Sequence, residues 1–201
     1  MNAPHPKLST LAEPAALRLV RPSQPASPQR FREVLGHYPT GVTVVTALDA
    51  DGRPAGMAVG SFTSVSLEPL LVAFFPDRAS STFRTIQAAG AFCVNVLSAS
   101  QEPLCRNFAT KKADKFAGLA WAPAPSSGAP VLDGVLAWID CRIQAVHEAG
   151  DHYIVVGAVE HMDTGILDHT GTGALAAPLL FHRGGYGHAA ALPAAPTLRS
   201  A

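Results

Sequence analysis

The sequence lacks the features that mark secreted, membrane-spanning and nucleic-acid-binding proteins. Its 201 residues include only 3 cysteines, and none of them stands in a CxxC spacing. This scarcity argues against a disulfide framework and is typical of reduced thiols in a cytosol. The 15 basic and 15 acidic residues cancel, so no net charge attracts a polyanion. Because no apolar run reaches the length of a transmembrane helix, we expect a cytoplasmic globular protein that binds neither nucleic acid nor a membrane.

Both ends of the chain are rich in alanine and proline and poor in large apolar side chains. The first residues contain no uninterrupted apolar stretch of signal-peptide length, and their prolines recur too often for a helix to persist. We expect a disordered arm over residues 1–26 and a disordered tail over residues 189–201. Since 48% of the chain is hydrophobic, the remaining residues 27–188 suffice for the core of one domain.

The pattern between these ends predicts short helices among many strands. Ser27 followed by Pro28 predicts the start of a helix that ends before Pro39. Further helices are expected in RASSTFRTIQAAG and SASQEPLCRNFA, each with a serine cap. Apolar and β-branched runs predict strands in GVTVVTAL, LLVAFF, AFCVNVL, VLAWIDCRIQAVHEAG, YIVVGAVEHM and PLLFH. Six or more antiparallel strands with two or three short helices indicate a mainly β fold, a small closed or half-open barrel.

The strand VLAWIDCRIQAVHEAG alternates between polar and apolar positions. Asp140 and Cys141 fall on its two opposite sides. This alternation predicts a strand that is buried on one face only, with Asp140 on the polar face. The preceding segment PAPSSGAPVLDG is expected to be a loop.

Histidine and hydroxyl residues offer two catalytic arrangements, and both are weak. His147, His152 and His161 surround one predicted hairpin, but their spacings match no metal template and no cysteine joins them. A hydrolase triad of Ser64, His152 and Asp151 lacks the G-x-S-x-G elbow, and adjacent Asp and His side chains are expected on opposite faces of a strand. No P-loop is present, and no G-x-G-x-x-G follows a strand. We therefore expect no metal site and none of the usual nucleotide folds.

The stretch GMAVGSFTSVSLEP, residues 56–69, combines apolar residues with four small hydroxyl residues, Ser61, Thr63, Ser64 and Ser66. An ordinary strand with a polar face explains this pattern when it is taken alone. The same small residues would also let a flat ligand approach backbone N–H groups and hydroxyls. The local pattern leaves both interpretations open.

An ordered set of motifs covers roughly residues 29–188, most of the chain. It begins with FREVLGHYPTGVTVVTALDADGRPAGMAVGSFTSVSLEP and continues through DRASSTF, FCVNVL, NFA, DKFAG, GAPVLDGVLAWIDC, GDHYIVVGAVEHM and LLFHRGGYG. Together these motifs resemble the flavin reductase family, which supplies two-component flavin-dependent monooxygenases. The resemblance implies an antiparallel split β-barrel homodimer. It further implies that the protein binds FMN or FAD non-covalently, reduces it with NADH or NADPH and releases it to a partner oxygenase.

The resemblance also implies which residues contact the flavin. The flavin ring is expected along the stretch after Gly56, and the phosphate at the start of the second predicted helix, where free N–H groups favour an anion. Arg78 is a further cationic neighbour in this interpretation, although helix capping alone would also explain Ser80. The residues assigned to the flavin are Met57, Ala58, Val59, Gly60, Ser61, Phe62, Ser64, Val65, Ser80, Ser81, Thr82, Asn107, Phe108 and Lys115.

A different group of residues is expected to contact the nicotinamide cofactor. His152 in GDHYIVVG matches a family histidine that faces the nicotinamide, and an imidazole is able to hydrogen-bond the carboxamide. Arg183 and Tyr186 in HRGGYG would complete that rim. The alternative for His152 is a surface histidine beside a turn.

Hydride transfer from a nicotinamide to a flavin requires two aligned rings and no obligatory side-chain base or nucleophile. The activity that the resemblance implies is that of an NAD(P)H:flavin oxidoreductase. Two other functions stay open: a non-catalytic module that holds flavin or haem, and an oxidase that acts on a pyridoxal-phosphate-type substrate. Turnover of NADH with added flavin distinguishes the reductase from both.

Overall fold

The computed structural model describes residues 25–112, 114–165 and 177–189. Most of the predicted N-terminal arm and C-terminal tail lies outside the described residues. The helices are α1 (Pro28–Leu35), α2 (Ser81–Ala89) and α3 (Glu102–Phe108). The strands are β1 (Thr40–Gly41), β2 (Thr43–Leu48), β3 (Pro54–Val59), β4 (Thr63–Leu67), β5 (Leu70–Phe74), β6 (Ala91–Val96), β7 (Trp121–Pro123), β8 (Pro130–Leu132), β9 (Ala137–Ala149), β10 (His152–Thr164), β11 (Leu179–His182) and β12 (Gly185–His188).

Seven strands form one antiparallel sheet in the order β3-β2-β6-β9-β10-β5-β4. Smaller sheets are formed by β1-β11-β12 and by β7-β8. Because β3 and β4 stand at the two ends of the large sheet, the barrel is half-open rather than closed within the described residues. The predicted mainly β, antiparallel architecture is confirmed.

Helices α1 and α2 begin where their serine caps predict, whereas Ser98 caps a short 3-10 turn, Ala99–Gln101, and α3 begins after it at Glu102. The Ser27 hydroxyl accepts a hydrogen bond from the Arg30 N–H at 3.2 Å at the start of α1. The Ser80 hydroxyl accepts one from the Phe83 N–H at 3.1 Å at the start of α2. Helix α2 ends at Gly90, whose φ of 70° lies in the left-handed region that favours glycine. None of the helices in the described ranges is long and apolar enough to cross a membrane.

A cluster of buried aromatic rings fixes α2 on the sheet. Phe83 of α2 and Phe92 of β6 both contact Phe74 of β5, with ring centroids 6.1 and 5.1 Å apart. All three rings are fully buried. Gly157 makes room for Phe92, because a Cβ added at this glycine would lie 2.5 Å from the ring. The three cysteines, Cys93, Cys105 and Cys141, are also buried and unbonded to one another.

Strand β9 differs from its predicted pattern at Asp140. This carboxylate was expected on a polar face but is fully buried. The backbone N–H groups of Ser126 and Ser127 donate to it at 2.8 and 3.2 Å, and the Ser127 hydroxyl also bonds to it. The expectation of a single buried face is therefore wrong here, because the preceding segment folds over the strand. That segment also supplies β8 instead of being entirely a loop.

Candidate active site

A groove of about 620 Å³ lies between β3, the start of α2 and the chain that follows α3. Residues from three separate parts of the sequence meet in it. The lining residues are Met57, Ala58, Asp77, Ala79, Ser80, Ser81, Thr82, Arg84, Phe108, Ala109, Thr110, Lys111, Lys112 and Lys115. Seven of these were assigned to the flavin from the sequence: Met57, Ala58, Ser80, Ser81, Thr82, Phe108 and Lys115.

The start of α2 presents backbone donors to the groove. Ser81 and Thr82 occupy its first turn, where N–H groups have no acceptor within the helix. The Ser80 hydroxyl oxygen caps the helix, while its hydrogen is left to donate. Capping and anion binding are therefore compatible at Ser80. The free N–H groups and the positive end of the helix dipole together favour a phosphate.

Lys115 joins the two walls of the groove. Its ammonium donates to the carbonyl of Gly56 at 3.2 Å and to the carbonyl of Phe108 at 3.0 Å. Partial burial lowers the pKa of this lysine below its usual 10.5. The Asn107 amide donates to the Lys115 carbonyl at 2.7 Å, so Asn107 holds the lysine in place. A cation at the C-terminal end of α3 also complements the dipole of that helix.

The floor of the groove depends on a close approach between Gly56 and Phe108. Phe108 is buried and packs edge-on against Phe116, with centroids 5.1 Å apart. A Cβ added at Gly56 would lie 2.6 Å from the Phe108 ring. Phe108 therefore shapes the groove as a buried support and does not offer an open face for stacking.

The remaining residues assigned to the flavin ring follow β3 toward the edge strand β4. Val59 is buried, and Phe62 packs against the main core. The Ser61 hydroxyl lies 3.2 Å from both the N–H and the carbonyl of Phe75. Ser64 and Val65 are exposed on β4, where the pairing with β5 is irregular. None of these residues lines the groove, so their contact with a flavin stays a prediction.

Gly60 lies at the corner between these two strands. A Cβ added there would lie 3.1 Å from the Thr40 hydroxyl. The backbone at this corner is therefore close to β1, and Gly60 keeps its assignment as a prediction.

Several groove residues were missed from the sequence. Arg84 follows Ser80 by one helical turn, so helical spacing was a signal that would have identified it. Lys111 and Lys112 follow α3 as a pair of exposed cations. Asp77 contributes a carboxylate to the lining of the groove. This carboxylate accepts a hydrogen bond from the Ala79 N–H at 2.6 Å.

Arg78, the other cation predicted beside the phosphate, points elsewhere. Its guanidinium pairs with the Glu148 carboxylate at 3.2 Å and lies 5.5 Å from the centre of the Tyr153 ring. It is not among the residues that line the groove. Arg84 takes the position beside the start of α2 that the sequence had assigned to Arg78.

His152 lies beside the rim of the groove. It pairs with Asp77 through a β-bridge, and Asp77 lines the groove. Its Nδ1 is 2.8 Å from the Asp151 carboxylate, and this hydrogen bond lowers the pKa of Asp151. The expectation that the two neighbouring side chains point apart is therefore wrong, because Asp151 lies in the turn and not in the strand. No described hydrogen bond joins either residue to Ser64, and within the described ranges no three His, Cys, Asp or Glu side chains are grouped to hold a metal ion.

Arg183 and Tyr186 belong to the β11–β12 hairpin. The Tyr186 hydroxyl and the buried Cys105 thiol are hydrogen-bonded at 3.3 Å, and this contact together with burial raises the pKa of Tyr186 to about 12. The Arg106 guanidinium lies 4.8 Å from the centre of the same ring. Arg183 has a φ of 50°, and its N–H donates to the Gly36 carbonyl at 3.0 Å. Neither residue shares a cavity with His152 in the described chain.

Comparison with known proteins assigns this chain to a family. Residues 35–190 match the model of the flavin reductase like domain. A flavin reductase from Pseudomonas putida is 54% identical over 165 residues, which cover 82% of this chain and 92% of that protein. The reductase subunit HsaB of a flavin-dependent monooxygenase from Rhodococcus jostii is 45% identical over 159 residues, 79% of this chain and 76% of that protein.

A solved structure gives the same result. The NADH:FAD oxidoreductase SgcE6 of Streptomyces globisporus superposes with a TM-score of 0.73 at 34% identity, covering 85% of this chain and 99% of that one. The resemblance read from the ordered motifs is confirmed. With more than half of the chain matched and the split-barrel architecture shared, the protein belongs to the flavin reductase family.

Proposed function

We propose that this protein is an NAD(P)H-dependent flavin reductase that supplies reduced FMN or FAD to a partner monooxygenase. The observation that carries the proposal is the groove beside α2. There, free N–H groups, a partly buried lysine and an apolar wall meet on a flavin reductase fold. The names of the relatives support the oxygenase partner, since HsaB is the reductase subunit of a flavin-dependent monooxygenase.

The residues of the groove fit a flavin in chemical character and in size. Met57 and Ala58 form an apolar wall on β3, and the start of α2 offers donors for a phosphate. Lys115 supplies a positive charge between them. A volume of about 620 Å³ falls in the range of small-molecule sites.

The bound flavin supplies the redox chemistry by accepting a hydride from the reduced nicotinamide. The protein would hold and orient the two cofactors. Ser81 and Thr82 bind the phosphate, and Lys115 fixes the walls between which the flavin lies. His152 orients the nicotinamide carboxamide from the rim, with its imidazole held by Asp151. No side chain has to transfer a proton for the hydride to move.

A homodimer is the second part of the proposal. Apolar side chains of α1 and the residues after it are exposed, with Phe31 at 65% and Tyr38 at 71%. Leu67 on the edge strand β4 is exposed at 87%. A second copy that covers these surfaces would bury apolar area and complete the nicotinamide rim. We propose that this dimer acts in the cytoplasm, in keeping with three free cysteines.

The deciding experiment is an assay of NADH and NADPH oxidation with FMN, FAD and riboflavin offered separately. We expect turnover with at least one flavin, and no turnover without added or bound flavin. Flavin binding without turnover would identify a storage module instead. Oxygen consumption that requires a pyridoxal-type substrate would identify an oxidase. A mass measured in solution at micromolar concentration tests the dimer, and a strictly monomeric mass would contradict it.

A further inference from the structure

The segment between β5 and α2 is bound to the turn that joins β9 and β10. Two backbone hydrogen bonds connect them. The Arg78 N–H donates to the Asp151 carbonyl at 3.0 Å, and the Tyr153 N–H donates to the Pro76 carbonyl at 2.9 Å. Between these two bonds lies the β-bridge of His152. The chain that leads into the start of α2 and the turn that carries His152 are therefore paired like two short strands.

The side chain of Arg78 clamps both sides of this turn. Its two terminal nitrogens lie 3.2 Å from the two carboxylate oxygens of Glu148, and Nη1 also donates to the Gly150 carbonyl at 3.4 Å. The guanidinium lies 5.5 Å from the centre of the ring of Tyr153, the residue opposite Glu148 on the neighbouring strand. A single exposed ion pair stabilises little, whereas a bidentate pair with a ring contact fixes the orientation of its partners. Arg78 thus holds β9 and β10 in place at their common turn.

Tyr153 extends these contacts to α2. Its ring centroid lies 5.3 Å from that of Phe83, which is fully buried in the first turn of the helix. The N–H of Phe83 donates to the capping hydroxyl of Ser80 at 3.1 Å. A continuous set of contacts therefore runs from Arg78 through Tyr153 to the helix start that is proposed to bind the flavin phosphate.

We propose that Arg78 is a positioning residue for hydride transfer, because it fixes His152 relative to the start of α2. The inference rests on the proposed function, which places the nicotinamide carboxamide at His152 and the flavin phosphate at Ser81. Alignment of two reacting rings is sensitive to displacements of about 1 Å, so a loosened turn would misplace the nicotinamide over the flavin. Arg78 acts through His152 and contacts neither cofactor. This role differs from that of a phosphate neighbour, which was expected from the sequence.

Steady-state kinetics of NADH oxidation by the full chain with FMN test the inference. Arg78→Met keeps an unbranched apolar chain and removes the bonds to Glu148 and Gly150. The kcat/KM for NADH should fall about 5-fold, while FMN affinity measured by titration should change by less than about 2-fold. Arg142→Met is the matched control, because Arg142 is also an exposed arginine and pairs with Glu160 at 3.2 Å, but it lies in β9 away from the turn. That control should keep the wild-type kcat/KM.

A double variant shows whether Arg78 acts through His152. In the His152→Ala background, Arg78→Met should lower the kcat/KM for NADH by less than about 2-fold, because the side chain that it positions is gone. Arg78→Lys keeps the charge but not the bidentate pair, so its kcat/KM should be intermediate. Additive effects of the two changes would overturn the inference, as would an unchanged kcat/KM in Arg78→Met. An equal loss of FMN affinity would also overturn it, by moving Arg78 to the flavin phosphate.

Hydrogen exchange separates this inference from the proposed function. The backbone amides of residues 150–153 should exchange about 3-fold faster or more in Arg78→Met, and at the wild-type rate in Arg142→Met. Equal exchange in the two variants would overturn the inference even in an active enzyme. Absence of NADH oxidation by the wild type with every flavin would instead overturn the proposed function, and faster exchange in Arg78→Met would still show that this arginine holds the turn.

Discussion

The groove beside α2 and the residues predicted to contact nicotinamide differ in how the chain supports them. In the groove, Lys115 is bonded to two carbonyls and Phe108 is buried beneath the lining. The nicotinamide residues are spread over two hairpins, with His152 on one and Arg183 and Tyr186 on the other. We infer from this contrast that one chain would suffice to hold a flavin phosphate, whereas the predicted nicotinamide residues would need a further element to meet. A second subunit is the element that we propose.

Of the variants considered, Ser81→Asp is expected to change cofactor affinity most. It acts on the flavin groove alone and leaves the predicted nicotinamide residues unchanged. A carboxylate at the start of α2 would repel the flavin phosphate in a partly dry groove. FMN affinity should fall about 100-fold, while riboflavin affinity should stay within about 3-fold. Titration with both ligands measures this.

An acidic residue in the first turn also suits the helix dipole, so the variant should fold normally. Ser81→Ala serves as the control for the loss of the hydroxyl alone. Equal losses for FMN and riboflavin would show that the phosphate does not lie at Ser81.

Lys115→Met tests whether the rigid support of the groove matters for binding. The change removes two hydrogen bonds between β3 and α3 together with a positive charge, so FMN affinity should fall about 10-fold. Lys112→Met removes an exposed charge that makes none of those bonds. FMN affinity should therefore fall less in this variant than in Lys115→Met.

The pH dependence provides a second measurement on Lys115. Because burial lowers the pKa of this lysine below 10.5, its ammonium is lost at a lower pH than that of an exposed lysine. FMN affinity should therefore decline as the pH rises through this lowered pKa, and the Lys115→Met variant should not show this decline. An identical pH profile in both proteins would contradict the assignment.

His152→Ala tests the predicted nicotinamide site. The apparent KM for NADH should rise about 3- to 30-fold, or hydride transfer should slow by a similar factor, with flavin affinity nearly intact. Steady-state kinetics and a flavin titration on the same variant measure both. His147→Ala on the same hairpin is the control and should change neither quantity. Loss of FMN binding in His152→Ala would instead move this residue into the flavin groove.

Tyr186→Phe should have the smallest effect. The hydroxyl is bonded to Cys105, and the ring is held between Arg106 and Phe181, so the hydroxyl is directed into the protein. We expect the KM for NADH to change by less than about 3-fold. A larger rise would show that this hydroxyl reaches the cofactor, contrary to its contacts in the chain.

Local signals in the sequence predicted the elements that build the groove. Ser80 and Gly90 mark the two ends of α2 through capping, and the β-branched run of β2 marks its strand. What local signals do not contain is the distance between segments. Arg84 and Lys112 lie 28 positions apart in the sequence and meet only because α2 and α3 pack against the same strand, β3.

Burial of polar groups was equally hard to predict. Asp140 follows the alternation of a half-exposed strand, yet it is fully buried because two serine N–H groups from a distant loop satisfy its oxygens. Phe108 was assigned to the flavin from a family motif; its ring is buried against Phe116 at the edge of the groove, so its contact with a flavin stays a prediction. In both cases the deciding contact comes from a segment that the local pattern does not include.

The burial of the three cysteines has a consequence for an enzyme that handles reduced flavin in air. Reduced flavin that meets dioxygen before it reaches an oxygenase gives hydrogen peroxide, and exposed thiolates are the groups that peroxide oxidises. Burial raises the pKa of Cys93 to about 12 and also raises the pKa values of Cys105 and Cys141. All three thiols therefore stay protonated and shielded at neutral pH. The fold thus protects these three thiols from oxidation by a by-product of the enzyme's own turnover.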